Sequence, residues 1–199
     1  GETSRMGIPT VFVRLTGCPM RCNYCDTAYA FSGGSNMEMS EVLNKVAEYG
    51  TKYVTVTGGE PLAQRECYTL LQCLCDAGYS VSLETGGSLD IAPVDKRVSV
   101  ILDIKTPASN EEKNMRWDNV FHLKAQDEIK FVLCNRTDYD WAKTKISDLK
   151  LSQKCPILFS PSYHELSADM LAAWILEDKL PVRMQLQLHK ILWGEKQGV

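Results

Sequence analysis

Eight cysteines stand in this chain of 199 residues, and three of them crowd into eight positions as Cys18, Cys22 and Cys25, spaced C-x3-C-x2-C. Three thiolates on one short loop match three corners of a cubane 4Fe–4S cluster and leave its fourth iron open to an outside ligand. A structural zinc site is the main rival. Zinc, however, wants ligand pairs that close a tetrahedron, and no Cys or His pair follows at finger-like spacing. The spacing favours the cluster, with a non-catalytic zinc or iron–sulfur module as an alternative. The other five cysteines, Cys67, Cys73, Cys75, Cys134 and Cys155, lie in apolar segments and read as small buried hydrophobes.

A second motif, Thr57-Gly58-Gly59-Glu60-Pro61, combines paired glycines with a carboxylate. Glycines let a backbone approach a ligand closely, and Glu60 offers an acceptor for an ammonium group. Taken alone, an ordinary strand-to-helix turn looks the same. Arg14 lies four residues before Cys18, where strand alternation puts it on one face with Phe12 and Thr16, opposite Val11, Val13 and Leu15. If that face is a barrel interior, the arginine needs an anionic partner there. The partner is either a substrate carboxylate gripped by its planar fork or an internal pair with Glu60 or Asp103. Of the histidines, His122 and His164 fall in loop-like segments, while His189 is expected at the end of the last strand, on the active rim.

The elements that would carry these groups alternate. Residues 10–16 (TVFVRLT), 53–57, 79–84, 98–104, 128–134, 155–160 and 182–188 read as strands. Ser40 is expected to cap a helix running to Tyr49 with Gly50 as its stop, and Pro61 to open one helix that Gly78 closes. Residues 138–149 and 168–179 read as amphipathic helices. Such alternation implies an α/β fold with a parallel sheet, and six or seven strands suit a partial (βα) TIM-like barrel better than a closed eight-unit one. Glycine-rich and polar residues collect just after the strands, on the rim where parallel α/β proteins place their sites.

Composition bounds the rest. Lys and Arg number 22 against 25 Asp and Glu, a net charge of −3, which lacks the footprint of a dedicated nucleic-acid binder. A 44% hydrophobic content suits one domain over residues 1–199 with a real core. No apolar run approaches the roughly 20 residues of a membrane helix, and a cytoplasmic protein is expected.

The cysteine loop, with Tyr24 just before its last thiol, resembles the radical S-adenosylmethionine (SAM) superfamily. That resemblance implies an open iron that binds SAM through its amino and carboxylate groups, and a cluster electron that releases a 5′-deoxyadenosyl radical. It also implies a partial barrel with the cluster loop after the first strand. The TGGEP segment is similar to the superfamily motif that contacts the SAM amino group. More particularly, residues 1–3, 9–15, 25–31, 57–61, 84–87, 103–107 and 187–190 resemble the 7-carboxy-7-deazaguanine synthase family of queuosine biosynthesis.

This family converts 6-carboxy-5,6,7,8-tetrahydropterin to 7-carboxy-7-deazaguanine by hydrogen-atom loss, ring contraction and elimination of ammonia, with SAM regenerated. The likeness implies Mg2+ at Thr27, substrate contacts at Gly1, Arg14 and Thr57, and SAM contacts at Gly59, Glu60, Asp103, Ile104 and Lys105. The likeness also suggests Glu84 as a further SAM contact, to the ribose hydroxyls. Some relatives carry Ser-Pro-Lys where this chain has Asp103-Ile104-Lys105. The family also has a short strand and Leu-Gln before the Gly-Glu, so part of the substrate pocket is expected to lie outside the given sequence. A homodimer and an electron donor such as flavodoxin are implied as partners. A glycyl-radical-enzyme activase of the same superfamily is the alternative activity.

Overall fold

The computed structural model describes residues 3–196. Seven parallel strands form one sheet in sequential order: β1 (Thr10–Leu15), β2 (Tyr53–Gly58), β3 (Ser80–Thr85), β4 (Ser99–Ile104), β5 (Glu128–Leu133), β6 (Ile157–Pro161) and β7 (Arg183–Met184). The first and last strands do not pair with each other among the described residues, so the barrel is partial, as expected.

Alternation sorts the two faces. Val11, Val54, Val56, Val81, Leu83 and Val100 pack outward with helices α1 (Met39–Glu48) and α2 (Glu66–Asp76). Leu102, Ile104, Ile129, Phe131, Leu133, Ile157 and Phe159 pack outward with α3 (Arg136–Asp148) and α4 (Ala168–Asp178). Helical spacing supplies the matching stripes, such as Met39, Val42, Leu43 and Val46 on α1. The intervening strand positions are largely polar and line the concave face: Arg14, Thr55, Thr57, Ser82, Glu84, Asp103, Lys130 and Ser160. A sheet that spends its apolar residues on one side leaves the other free for a polar ligand.

The chain's first described residues close the amino-terminal end of this barrel. The Ser4 backbone N–H donates to the Glu128 carboxylate at 3.1 Å, and Arg5 donates to the Ser80 carbonyl and hydroxyl, both at 3.1 Å. The Gln185 amide donates to the Thr3 carbonyl at 2.6 Å.

Four expectations are corrected. Glu38, not Ser40, precedes α1, because the apolar stripe begins at Met39; Ser40 sits inside the first turn. Pro61 opens only a short 3-10 turn, Pro61–Ala63, since Gln64 turns extended and its side chain donates to the Thr16 carbonyl at 2.9 Å; the α-helix starts afresh at Glu66. The alternating run after Val182 pairs only over two residues, and Leu188–Trp193 is a helix, α5. Finally, the strand–helix rhythm lapses between β3 and β4, and between β4 and β5 the chain makes three 3-10 turns instead of an α-helix.

Candidate functional site

The three cysteines occupy the loop after β1, at the carboxyl ends of the strands, and two other post-strand loops hold them there. On one side stands the turn after β2. Gly59 N–H donates to the Leu15 carbonyl at 3.0 Å, and Glu60 N–H to the Gly17 carbonyl at 2.8 Å. A Cβ on Gly58 would fall 1.9 Å from the Leu15 oxygen, and one on Gly59 would fall 2.2 Å from the Gly17 oxygen. The glycine pair therefore lets two backbones meet, a closer and more local approach than the ligand contact expected of it.

On the other side stands the loop after β4. Its Ser109 carbonyl accepts the Asn23 backbone N–H and its Ala108 carbonyl the Asn23 amide, both at 3.1 Å. Glu111, in the same loop, accepts the Arg21 backbone N–H at 2.7 Å. Asp138, in the first turn of α3 and 1% exposed, anchors this bed. Its carboxylate accepts the Thr106 hydroxyl and the N–H groups of Ala108 and Cys134, each at 3.0 Å.

Burial pushes all three loop thiols upward, Cys22 to about 11, with Lys105 opposing it. Thiols in this state give up protons when they take metal. Cys67, Cys134 and Cys155 are buried as expected, with thiols raised to about 12, 11 and 12, whereas Cys73 and Cys75 are only half-buried. Among the described residues, no three His, Cys, Asp or Glu side chains converge on one point as a single metal ion requires.

Glu60 is 0% exposed. Its carboxylate accepts the Thr85 hydroxyl at 2.8 Å and 2.9 Å, Gly86 N–H at 2.8 Å and Leu62 N–H at 3.1 Å. Burial raises its pKa while these donors favour the charged form. The carboxylate thus ties the turn after β2 to the turn after β3. Lys105 pairs with Asp103 at 3.0 Å. Burial works against its charge, but Asp103, Tyr24 and Cys22 outweigh it and hold the ammonium above the usual lysine range. Asp103 Oδ1 is buried without a hydrogen-bond partner. Ile104 turns its side chain into the core, leaving only backbone on the rim.

Arg14 departs from its expected burial. It is exposed on the concave face, with its guanidinium 5.7 Å from the Tyr29 ring centroid, because an open barrel leaves that face in water. Neither Glu60 nor Asp103 forms a salt bridge with it: Glu60 is held by neutral donors and Asp103 by Lys105. Beside it in register is Thr57, whose hydroxyl donates to Glu84 at 3.1 Å. Thr27 donates its hydroxyl to Asp26 at 2.8 Å, and Asp26 accepts the Gln187 amide at 2.7 Å. Gln187 and Lys190 also line a cavity of about 590 Å3 with Tyr163, His164 and Met170. His189, expected at a strand end, lies in α5. Gly1 lies outside the described residues.

Glu111 and Asp138 escape sequence reasoning, since each is an ordinary polar residue outside a motif. Asn23, Asp26 and Gln187 lie within segments the sequence singled out, but no contact was expected of them there.

The sequence profile of the Radical SAM superfamily matches residues 12–116. The chain is 45% identical to a 7-carboxy-7-deazaguanine synthase of Chlorobaculum tepidum, over 98% of this chain and 90% of the relative. It is 40% identical to one of Koribacter versatilis, over 100% and 95%. Its fold is similar to the crystal structure of QueE from Escherichia coli, with a TM-score of 0.75, 19% identity, and 94% and 88% of the two chains covered.

Proposed function

This chain belongs to the 7-carboxy-7-deazaguanine synthase family of the radical SAM superfamily, and from that premise we propose how its residues divide the work of a ring-contracting lyase. The substrate is 6-carboxy-5,6,7,8-tetrahydropterin, the products 7-carboxy-7-deazaguanine and ammonia. The cysteine loop braced over a polar concave face carries the reading.

Cys18, Cys22 and Cys25 hold a 4Fe–4S cluster. Three thiols on one short loop suit a cubane, whose ligands each bind a different iron, better than zinc, which wants ligand pairs closing a tetrahedron. When bound, the cluster and SAM supply a one-electron cleavage that opens the substrate to hydrogen-atom loss. Gly59 and the backbone of Ile104 lie along the SAM path. Lys105 offers an ammonium to the SAM carboxylate, and the unpartnered Asp103 oxygen offers an acceptor. Glu60 acts by holding the Thr85–Gly86 turn in place, and Glu84 faces the SAM ribose.

Arg14, steadied over Tyr29, presents its two-point fork to the substrate carboxylate beside Thr57, and Gly1, outside the described residues, is the further substrate contact proposed. Thr27 is the Mg2+ ligand. Its hydroxyl proton is already directed to Asp26, which leaves oxygen lone pairs for a hard cation. A flavodoxin as electron donor, a homodimer and a cytoplasmic setting complete the proposal. No described helix is long and apolar enough to cross a membrane, and exposed Ile191, Leu192 and Trp193 offer an apolar face for a second subunit.

The test is anaerobic reconstitution with iron and sulfide, followed by reductant, SAM and the carboxytetrahydropterin. The deazaguanine chromophore is expected, and Cys22→Ala should lose cluster and SAM cleavage together. A loaded protein that cleaves SAM without turning over the pterin would point instead to an activase.

A further inference from the structure

Three acids stand near the cysteine loop, Glu60 and Glu111 buried and Asp103 half-buried, and they differ in what offsets their charge. Asp103 is matched by the Lys105 ammonium at 3.0 Å. Glu60 is met by the Thr85 hydroxyl and two backbone N–H groups, and it belongs to the motif already assigned. Glu111 is 8% exposed and accepts the Arg21 backbone N–H at 2.7 Å and the Asn114 side-chain amide. Both of its donors are neutral.

The cations nearby leave that charge standing. Lys105 is engaged by Asp103. The Arg21 guanidinium is turned to the Cys18 and Met20 carbonyls at 2.6 Å and 2.7 Å and packs over the Phe31 ring, exposed to water that screens it. Lys113 is exposed, and among the described residues Glu111 forms no salt bridge. A glutamine could accept the same Arg21 N–H, and burying it would cost less than burying a carboxylate. The charge itself is therefore the feature to explain. Arg21 precedes Cys22 directly, and the Glu111 charge is felt at the Cys22 thiol.

We propose that the Glu111 carboxylate holds down the reduction potential of the cluster carried by Cys18, Cys22 and Cys25. Taking up one electron makes a cluster one unit more negative. A fixed negative charge beside it, in a medium of low dielectric, opposes that step and leaves the reduced form a stronger donor. The inference rests on the cluster and on no assignment of substrate, so the pterin assay can fail while this stands.

The experiment is a redox titration of the reconstituted protein followed by electron paramagnetic resonance, comparing wild type with Glu111→Gln. Glutamine keeps the acceptor oxygen for Arg21 and removes the charge. Iron and sulfide content should hold, while the midpoint rises by about a tenfold shift in the reduction equilibrium, ~59 mV for one electron. Should Glu111→Gln not retain the cluster, Asn114→Lys decides. It sits at an exposed position, keeps the carboxylate and sets an ammonium beside it, so the midpoint should again rise. A midpoint that does not move in a fully loaded variant overturns the proposal.

Discussion

The cysteine loop leans on two neighbours that hold it by different means. The turn after β2 meets it backbone to backbone, at contacts so close that only glycine fits. The loop after β4 meets it through a single backbone bond, Asn23 to Ser109, and through the side chains of Asn23 and Glu111, and is itself moored to α3 by Asp138. The first support is rigid and has no room to adapt. The second is built from replaceable polar contacts, and it brings the Glu111 carboxylate to the residue before Cys22.

The sharpest way to break this comparison is Gly59→Ala. The new methyl would lie 2.2 Å from the Gly17 oxygen, a backbone atom that cannot rotate away. We expect a stability loss of roughly 3 kcal/mol or more and a protein that does not retain iron. Thermal unfolding of the apoprotein and iron analysis after reconstitution check both; normal iron content would show that the turn after β2 can yield.

Asp138→Ala attacks the other support at one remove. It leaves the Ala108 and Cys134 N–H groups without their acceptor and the Thr106 hydroxyl with only the Val132 carbonyl, for an expected loss of about 2–3 kcal/mol. Iron should still load, but a chelator should strip it faster than from wild type. Equal stripping rates would mean that the mooring does not reach the cysteines. The mildest change is Asn23→Ala, which removes only the side-chain bond to the Ala108 carbonyl and keeps the backbone bond to Ser109. Stability should fall by about 0.5–1 kcal/mol in denaturant unfolding, with iron content unchanged. A loss as large as that of Gly59→Ala would erase the distinction between the two supports.

The same contrast governs how much could be read without coordinates. The strands, their parallel sense and the glycine turn were legible because each rests on a local pattern: alternation for β1, short apolar or β-branched runs between helical stretches for the strands after it, and the Gly58-Gly59 pair followed by Glu60 and Pro61. The extent of β7 was not, since Arg183 to Leu188 alternates as a strand should while Gln187 is drawn off to Asp26, 161 positions away. Arg14 was placed on the correct face, but its exposure depends on how far the sheet closes, which no single strand encodes. Glu60 was marked for its charge, while its bonding to Thr85 and Gly86 depends on how two turns meet. Glu111 and Asp138 gave no signal at all, because a buried carboxylate and a surface one are the same letter.

The order of the strands bears on how the molecule assembles. Each strand pairs with the one made just before it, so the sheet can grow as the chain emerges from synthesis. The floor of the barrel follows another clock. Thr3 waits for Gln185, 182 positions later, and Ser4 waits for Glu128. Contacts of such long separation close last, at the largest entropic cost. Interactions made after the rate-limiting barrier slow unfolding and leave the speed of folding untouched. The long-range contacts of Thr3 and Ser4 thus serve as a latch on a finished sheet, bearing on how long the fold lasts rather than how quickly it forms.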